Sequence, residues 1–209
     1  MLQSVVDASE LAASLVQQIL TYAGKARFLM EPQDLSKLIE GMRGILRPLV
    51  SKTAEVQFDL APALASVEAD ASQIRQVVMN LVVNASEALE NGSGTICVRT
   101  GVVELPANVH RSPLSSEVLP SGLYAYIEVA DTGSGMSPET VARVFDPFFT
   151  TKFLGRGLGL AALVGIVHAH KGSVNVQSVH GQGSTFQVLL PCSERAPATS
   201  RPTPPPASS

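Results

Sequence analysis

The chain has few cysteines, little excess charge of either sign and no long apolar run. Cys97 and Cys192 have no partners at metal-ligand spacing, so we expect free thiols and a reducing compartment. The formal net charge is −3 and the basic residues are scattered, which argues against a nucleic-acid or anionic-membrane surface. No apolar run approaches the roughly 20 residues that cross a bilayer, and no signal-peptide pattern opens the chain. A cytoplasmic chain is expected, although a parent protein could be anchored through a missing segment.

The apolar periodicities predict one α/β domain with flanking structure, in a chain of 209 residues of which 45% are hydrophobic. Helical spacing is found over residues 9–27, again from an N-cap at Asp34 to near Pro48, and from an N-cap at Asp70 to residue 89. A last helix is expected over residues 157–169. Alternating apolar residues predict strands over residues 55–60, 95–103, 123–130, 174–179 and 184–190.

The long helix from Asp70 carries Asn80, Asn84 and Glu87 at steps of four and three, so they project from one face. An asparagine oxygen is a hard neutral ligand suited to Mg²⁺, which takes one or two protein groups beside phosphates and water. A solvated helix face, or hydrogen bonding within the domain, would explain the same pattern.

Two glycine-containing segments border predicted elements. Asp131-Thr132-Gly133-Ser134-Gly135-Met136 ends a strand, where the carboxylate can accept a hydrogen bond from the amine of adenine and the glycines allow close approach. Asp-x-Gly is also a common turn. Gly155-Arg156-Gly157-Leu158-Gly159-Leu160 opens into a helix, whose free N–H groups and dipole would face a phosphate. Its spacing matches neither the Walker loop nor the dinucleotide fingerprint.

Between them, residues 145–152 place three of the seven phenylalanines next to Lys152. Exposed phenylalanines need a reason. One explanation is a mobile lid that packs only over a nucleotide, with Lys152 approaching phosphate oxygens. The other is a loop that packs into the core.

In chain order, the asparagine-bearing helix, the Asp131 segment, the phenylalanine segment and the Gly155 segment resemble the N, G1, F and G2 boxes of two-component sensor histidine kinases. The resemblance runs over roughly residues 70–191. The resemblance implies a Bergerat-fold α/β sandwich, a mixed sheet with helices on one face, that binds ATP and Mg²⁺. Asn84 would ligate Mg²⁺, with Asn80 supporting that site, and Asn80 and Lys152 would take part in catalysis. Asp131 would recognise the adenine amine. The remaining implied nucleotide-binding residues are Gly133 and Gly135 at the base, Arg156 in the lid, Gly155, Gly157, Gly159 and Leu160 at its phosphate side, and Thr185 near the adenine.

Three regions are expected along the chain. The resemblance implies that residues 1–30 hold the second helix of a dimerisation and phosphoacceptor hairpin and that residues 31–192 form the catalytic domain. Residues 193–209 are rich in proline and cannot bury a core, so we expect a disordered tail or linker there. The chain has no acceptor motif, and we expect its four histidines, His110, His168, His170 and His180, to be solvated. The phosphorylated histidine would then come from a missing helix or another chain. Implied partners are that helix, a homodimer mate in the parent and a response regulator receiver domain.

Asn80 separates rival activities of this fold. The resemblance implies a fold that gyrase, mismatch-repair and heat-shock chaperone ATPases share, and in those families the corresponding position is a glutamate that acts as general base toward water. An amide cannot take that proton at neutral pH. Transfer of the ATP γ-phosphoryl group to a histidine is therefore favoured over rapid hydrolysis. A non-catalytic nucleotide-binding or regulatory module that pairs with another kinase is the alternative.

Overall fold

The structure is a computed structural model that describes residues 29–89, 92–106, 119–150 and 159–193. In chain order the elements are β1 (Glu31–Gln33), α1 (Leu35–Glu40), α2 (Arg43–Leu49), β2 (Ala54–Asp59), β3 (Val67–Ala69), α3 (Ala71–Ala88), β4 (Gly94–Leu105), β5 (Gly122–Asp131), α4 (Pro138–Val141), α5 (Gly159–Ala169), β6 (Ser173–Val179) and β7 (Gly183–Pro191). Within this part of the chain, no helix is long and apolar enough to cross a membrane.

Five strands form a mixed sheet in the order β2-β4-β5-β7-β6. β2 runs parallel to β4, and the other neighbours are antiparallel. A second, two-stranded sheet joins β1 to β3, and a bridge from Val67 to Cys192 connects it to the chain just beyond β7. The register places Asp131, the last residue of β5, opposite Ser184 near the start of β7.

The main core lies between one face of this sheet and the helices. Alternate strand residues, among them Ile96, Ile127 and Val188, are buried against α1, α2, α3 and α5. On the other face Leu105, Tyr124 and Leu189 form a smaller apolar cluster. The predicted α/β sandwich with helices on one face of a mixed sheet is therefore confirmed.

The long helix was predicted closely because its start is specified locally. Asp70 is the N-cap of α3, and its Oδ1 accepts hydrogen bonds from the backbone N–H groups of Ser72 at 2.9 Å and Gln73 at 3.3 Å. The helix predicted from Asp34 is instead two short helices, since the chain turns at Gly41 and Met42 between α1 and α2. The predicted helix over residues 9–27 lies outside the described residues, as does the tail from residue 194.

Candidate functional site

The two asparagines of α3 are half-buried and have different surroundings. Asn80 Nδ2 donates a hydrogen bond to the carbonyl oxygen of Gly159, 3.2 Å away, at the start of α5. Among the residues that the structure describes, the Asn84 side chain has no hydrogen-bond partner. Asn84 therefore offers an amide oxygen, while the Asn80 amide already links two helices.

Asp131 places a buried carboxylate where β5 ends, with 8% of the residue exposed. Its Oδ1 accepts hydrogen bonds from the backbone N–H of Gly133 at 2.8 Å and of Ser184 at 3.3 Å. One bond comes from the following loop and the other from the neighbouring strand. The orientation of the carboxylate is thus set by backbone groups on both sides.

The loop after Asp131 has room only for glycine at two positions. A Cβ atom on Gly133 would collide with the carbonyl group of Ala88, at the end of α3. Gly135 has φ +62°, and a Cβ atom there would collide with the carbonyl oxygen of Val179 at the end of β6. The two glycines let the loop pass between α3 and the β6–β7 turn.

Hydrogen bonds hold this loop on the same two sides. The N–H of Ser134 donates to the carbonyl of Ala88 at 2.9 Å, and the carbonyl of Ser134 accepts from the N–H of Gly181 at 2.7 Å. The N–H of Met136 donates to Ser178 Oγ at 2.8 Å. These hydrogen bonds therefore fix the loop on both sides of Asp131.

Thr185 lies on the face of the sheet opposite to Asp131, and its implied place near the adenine stays a prediction. Thr185 pairs with Ala130, whereas Ser184 pairs with Asp131. Because opposite residues in an antiparallel pair share a face and successive residues alternate, Ser184 lies on the face of Asp131 and Thr185 on the other face. Sequence reasoning missed Ser184. The signal was available in the apolar alternation of β7, which places even-numbered residues on the core face: Phe186, Val188 and Leu190.

Gly159 is the first described residue of α5 and, within the described part of the chain, lies beside open space. A Cβ atom on Gly159 would meet no atom within 4 Å, and the residue does not have a positive φ. Leu160, which follows it, is partly buried against the core. No described residue therefore blocks a close approach to the backbone at Gly159. Lys152, Gly155, Arg156 and Gly157 lie outside the described residues.

The phenylalanines at 145, 148 and 149 have different surroundings, so core packing does not explain all three. Phe145 packs on the core, and its ring meets that of Phe186 edge to face at 6.2 Å between centroids. Phe148 is 72% exposed and has φ +67°. Phe149 lies under the guanidinium of Arg143, 4.5 Å from the ring centroid. Core packing thus accounts for Phe145 and leaves Phe148 without that role.

His170 is buried, which corrects the expectation that it is solvated. Its residue exposure is 3%, its Nδ1 lies 2.7 Å from the carbonyl oxygen of Ile166, and its Nε2 accepts a hydrogen bond from the backbone N–H of Asp70 at 3.0 Å. Burial lowers the pKa of His170, although the Ile166 carbonyl and the Asp70 charge act in the opposite direction. His168 and His180 are exposed, and His110 lies outside the described residues.

Comparisons of the sequence with known proteins identify a family and several relatives. Residues 69–194 match the family described as histidine kinase-, DNA gyrase B- and HSP90-like ATPase. The chain is 38% identical over 182 residues to the sensor kinase CckA of Brucella abortus (strain 2308), covering 86% of this chain and 19% of that protein. It is 30% identical over 178 residues to the sensor histidine kinase ZraS of Escherichia coli (strain K12), covering 85% of this chain and 34% of that protein.

A solved structure of full-length ShkA in complex with AMPPNP superposes with a TM-score of 0.70 and 25% identity, over 94% of this chain and 39% of that one. The chain spans between about a fifth and two fifths of the length of these three proteins. The family match covers more than half of the chain, and these curated relatives are sensor kinases. The chain therefore belongs to the histidine kinase-, DNA gyrase B- and HSP90-like ATPase family and is the ATP-binding catalytic domain of a sensor histidine kinase.

Proposed function

We propose that the parent protein transfers the γ-phosphoryl group of ATP to a histidine on a dimerisation helix, and that this chain supplies the nucleotide site. The observation that carries the proposal is the buried Asp131 carboxylate, oriented by the N–H groups of Gly133 and Ser184. A carboxylate held in this way accepts a hydrogen bond from the exocyclic amine of adenine. Guanine presents a carbonyl oxygen at that position, which a carboxylate repels.

Asn84 is the proposed Mg²⁺ ligand. Among the described residues, no group of three His, Cys, Asp or Glu side chains is placed to hold a metal ion, so a cation here would depend on other oxygen atoms. The half-buried Asn84 amide fits Mg²⁺, which commonly takes one protein oxygen together with waters and substrate phosphates. When bound, Mg²⁺ would neutralise charge on the phosphates.

The first turn of α5 is the proposed phosphate-binding element. Its backbone N–H groups and the positive end of the helix dipole favour an anion, and open space at Gly159 allows close approach. The family resemblance adds Lys152 and Arg156 as cations toward the phosphates and Gly155 and Gly157 as the flexible backbone beside them. These four roles are proposals from the sequence.

The proposed reaction needs a histidine from elsewhere. His170 is buried and bonded at both ring nitrogens, so it is not an acceptor for the γ-phosphoryl group. The phosphoacceptor would lie on a helix of the parent protein or of its homodimer mate, and the product would pass the phosphoryl group to a response regulator receiver domain. Asn80 has no basic atom to activate water, which favours transfer to histidine over hydrolysis.

A thermal melt with Mg²⁺-ATP tests the nucleotide site. Ligand at about 100 times its dissociation constant adds roughly 2.7 kcal/mol, which raises the unfolding midpoint by several degrees. We expect this rise with ATP and magnesium together and not with GTP. Labelled ATP and an added acceptor-helix fragment then test transfer. Binding of ATP without any phosphohistidine would favour the alternative, a regulatory module that pairs with another kinase.

A further inference from the structure

Asn80 and Asn84 lie one turn apart on the same helix face, yet among the described residues only Asn80 makes a side-chain hydrogen bond to another element. The carbonyl oxygen of Gly159 can only accept a hydrogen bond, so the nitrogen of the Asn80 amide must be the atom that faces it. Metal ligation uses the amide oxygen. The contact seen in the structure is therefore a donor contact to α5, and it does not use the chemistry of a metal ligand.

We propose that Asn80 is a positioning residue that sets the first turn of α5 against α3, and that Asn84 alone of the two serves the metal. The inference rests on the proposed function, because the first turn of α5 is where the phosphates of ATP would bind. Asn80 then contributes to phosphate binding through Gly159 and not through Mg²⁺.

Contacts at the other end of α5 explain why one hydrogen bond matters. His170 follows the last residue of α5 and accepts a hydrogen bond from the backbone of Asp70, which precedes α3. The two helices thus pack antiparallel, tied by Asp70 to His170 at one end and by Asn80 to Gly159 toward the other. With the far end anchored and Leu163 and Ile166 packed in the core, the Asn80 contact is the side-chain hydrogen bond that holds the first turn of α5 against α3, and it affects how close that turn comes to a bound phosphate. Small displacements of a binding group have large effects on such contacts.

A set of matched variants separates the two roles. Asn80→Asp keeps the shape and an oxygen atom but removes the donor, and Asn80→Ala removes the group without adding charge. Asn84→Asp is the control for metal ligation. We would measure the affinity for ATP at saturating Mg²⁺, the affinity for adenosine, and the affinity for Mn²⁺ in the ATP complex by electron paramagnetic resonance.

For a positioning residue, we expect both Asn80 variants to weaken ATP binding about 3- to 10-fold, the range for one lost hydrogen bond. Adenosine binding and Mn²⁺ affinity in the ATP complex should be unchanged. Asn84→Asp should change the Mn²⁺ affinity. The split between ATP and adenosine distinguishes positioning from a general packing defect, which would weaken both ligands.

Three results would overturn the inference. Loss of Mn²⁺ affinity in Asn80→Ala would make Asn80 a metal ligand, and ATP binding by Asn80→Asp at the wild-type level would show that the donor is not needed. Equal loss of ATP and adenosine would indicate only a packing role. Failure of the unmodified chain to bind ATP is a separate outcome, which would overturn the proposed function and, with it, this inference.

Discussion

Gly133 lies against the carbonyl group of Ala88, so that even one added methyl group would collide with backbone. We expect Gly133→Ala to destabilise the domain by about 1–3 kcal/mol, the usual cost of overpacking, and to weaken ATP binding, because the loop that supports Asp131 must move. Urea unfolding and ATP titration would measure the two effects.

Gly44 provides the matched control, since it lies in α2 and a Cβ atom there would meet nothing within 4 Å. Alanine is the better helix former by about 0.8–1.0 kcal/mol, so Gly44→Ala should leave stability unchanged or raise it. Equal destabilisation by both variants would show that steric contact with Ala88 is not the cause.

The Asp131 carboxylate carries the proposed recognition of adenine. Asn at this position can still accept from the N–H groups of Gly133 and Ser184, but it lacks the charge and one of the two oxygen acceptors. We expect Asp131→Asn to weaken ATP binding roughly 10- to 150-fold, which corresponds to about 1.5–3 kcal/mol for a hydrogen bond to a charged group.

Glu128→Gln is a suitable control, because Glu128 lies on the other face of β5 in an ion pair with Arg99, with 2.8 Å between Oε1 and Nη1. Calorimetric titration with ATP should give the same affinity for this variant as for the unmodified chain. If the unmodified chain binds GTP as tightly as ATP, the role of Asp131 is refuted.

His170 makes the stability of the domain depend on pH. Burial lowers its pKa in the folded state below the ordinary value of 6.5, so the unfolded chain takes up a proton first as the pH falls. The contribution of neutral His170 is therefore fully present above about pH 6.5 and is lost as the pH falls from there through the folded pKa. The slope from one such group is at most about 1.4 kcal/mol per pH unit.

Urea unfolding midpoints between pH 8 and pH 5 would reveal this slope. Asp70, whose carboxylate has a pKa below its ordinary value of 3.8, acts in a lower pH range and does not obscure it. We expect His170→Gln to lower stability at pH 8 and to flatten the profile. His168→Gln, a change at an exposed neighbour, should keep the wild-type profile, and a flat wild-type profile would contradict the prediction.

At the scale of elements, Asp70 connects the start of α3 to two other parts of the chain. Its carboxylate accepts from Ser72, Gln73 and the backbone N–H of Leu29, and its own N–H donates to His170. Burial alone would raise the pKa of Asp70, but these hydrogen bonds to its carboxylate outweigh burial and lower it. Asp70 therefore stabilises more than the first turn of one helix.

We expect Asp70→Ala to cost about 0.5–2 kcal/mol, the range for a lost N-cap. Asp70→Asn should lose much less, since asparagine caps helices about as well as aspartate. Thermal unfolding of the two variants gives the comparison. Equal losses would mean that the charge of Asp70, and not its capping oxygen, provides the stabilisation.

Local patterns predicted the long elements better than the short ones. The six core-facing residues of α3, from Ile74 to Ala85, repeat at helical spacing over about three turns, and β4 and β5 alternate over ten or more residues. β1, β3 and α4 have three or four residues each, which is too short for a period to appear. The break between α1 and α2 was missed because Gly41 and Met42 fit a helical pattern.

For the molecule as a whole, the fold begins well before the family match at residue 69. Leu35, Ile39 and Leu46 of α1 and α2 are fully buried in the main core, and β2 forms an edge of the sheet beside β4. The boundary at residue 31 stays a prediction. We expect a chain that starts at residue 61 to fail to fold, since each of these buried side chains contributes about 1.5–3 kcal/mol.

Circular dichroism melts and binding of a hydrophobic dye would test this boundary. A chain that starts at residue 29 is the control and should melt cooperatively. A cooperative melt of the shorter chain, with the midpoint of the control, would show that α1, α2 and β2 are dispensable.

The sequence by itself determined the α/β class, the order of the long elements and the motifs that carry the family resemblance, because these depend on periodicity and on neighbours along the chain. Only the tertiary structure decided which residues distant in sequence contact each other. Asn80 contacts Gly159, 79 residues away, and Asp70 contacts His170, 100 residues away. Ser184, and not Thr185, lies opposite Asp131, because successive residues of a strand point to alternate faces of the sheet. Such contacts follow from register and helix packing, which no local pattern specifies.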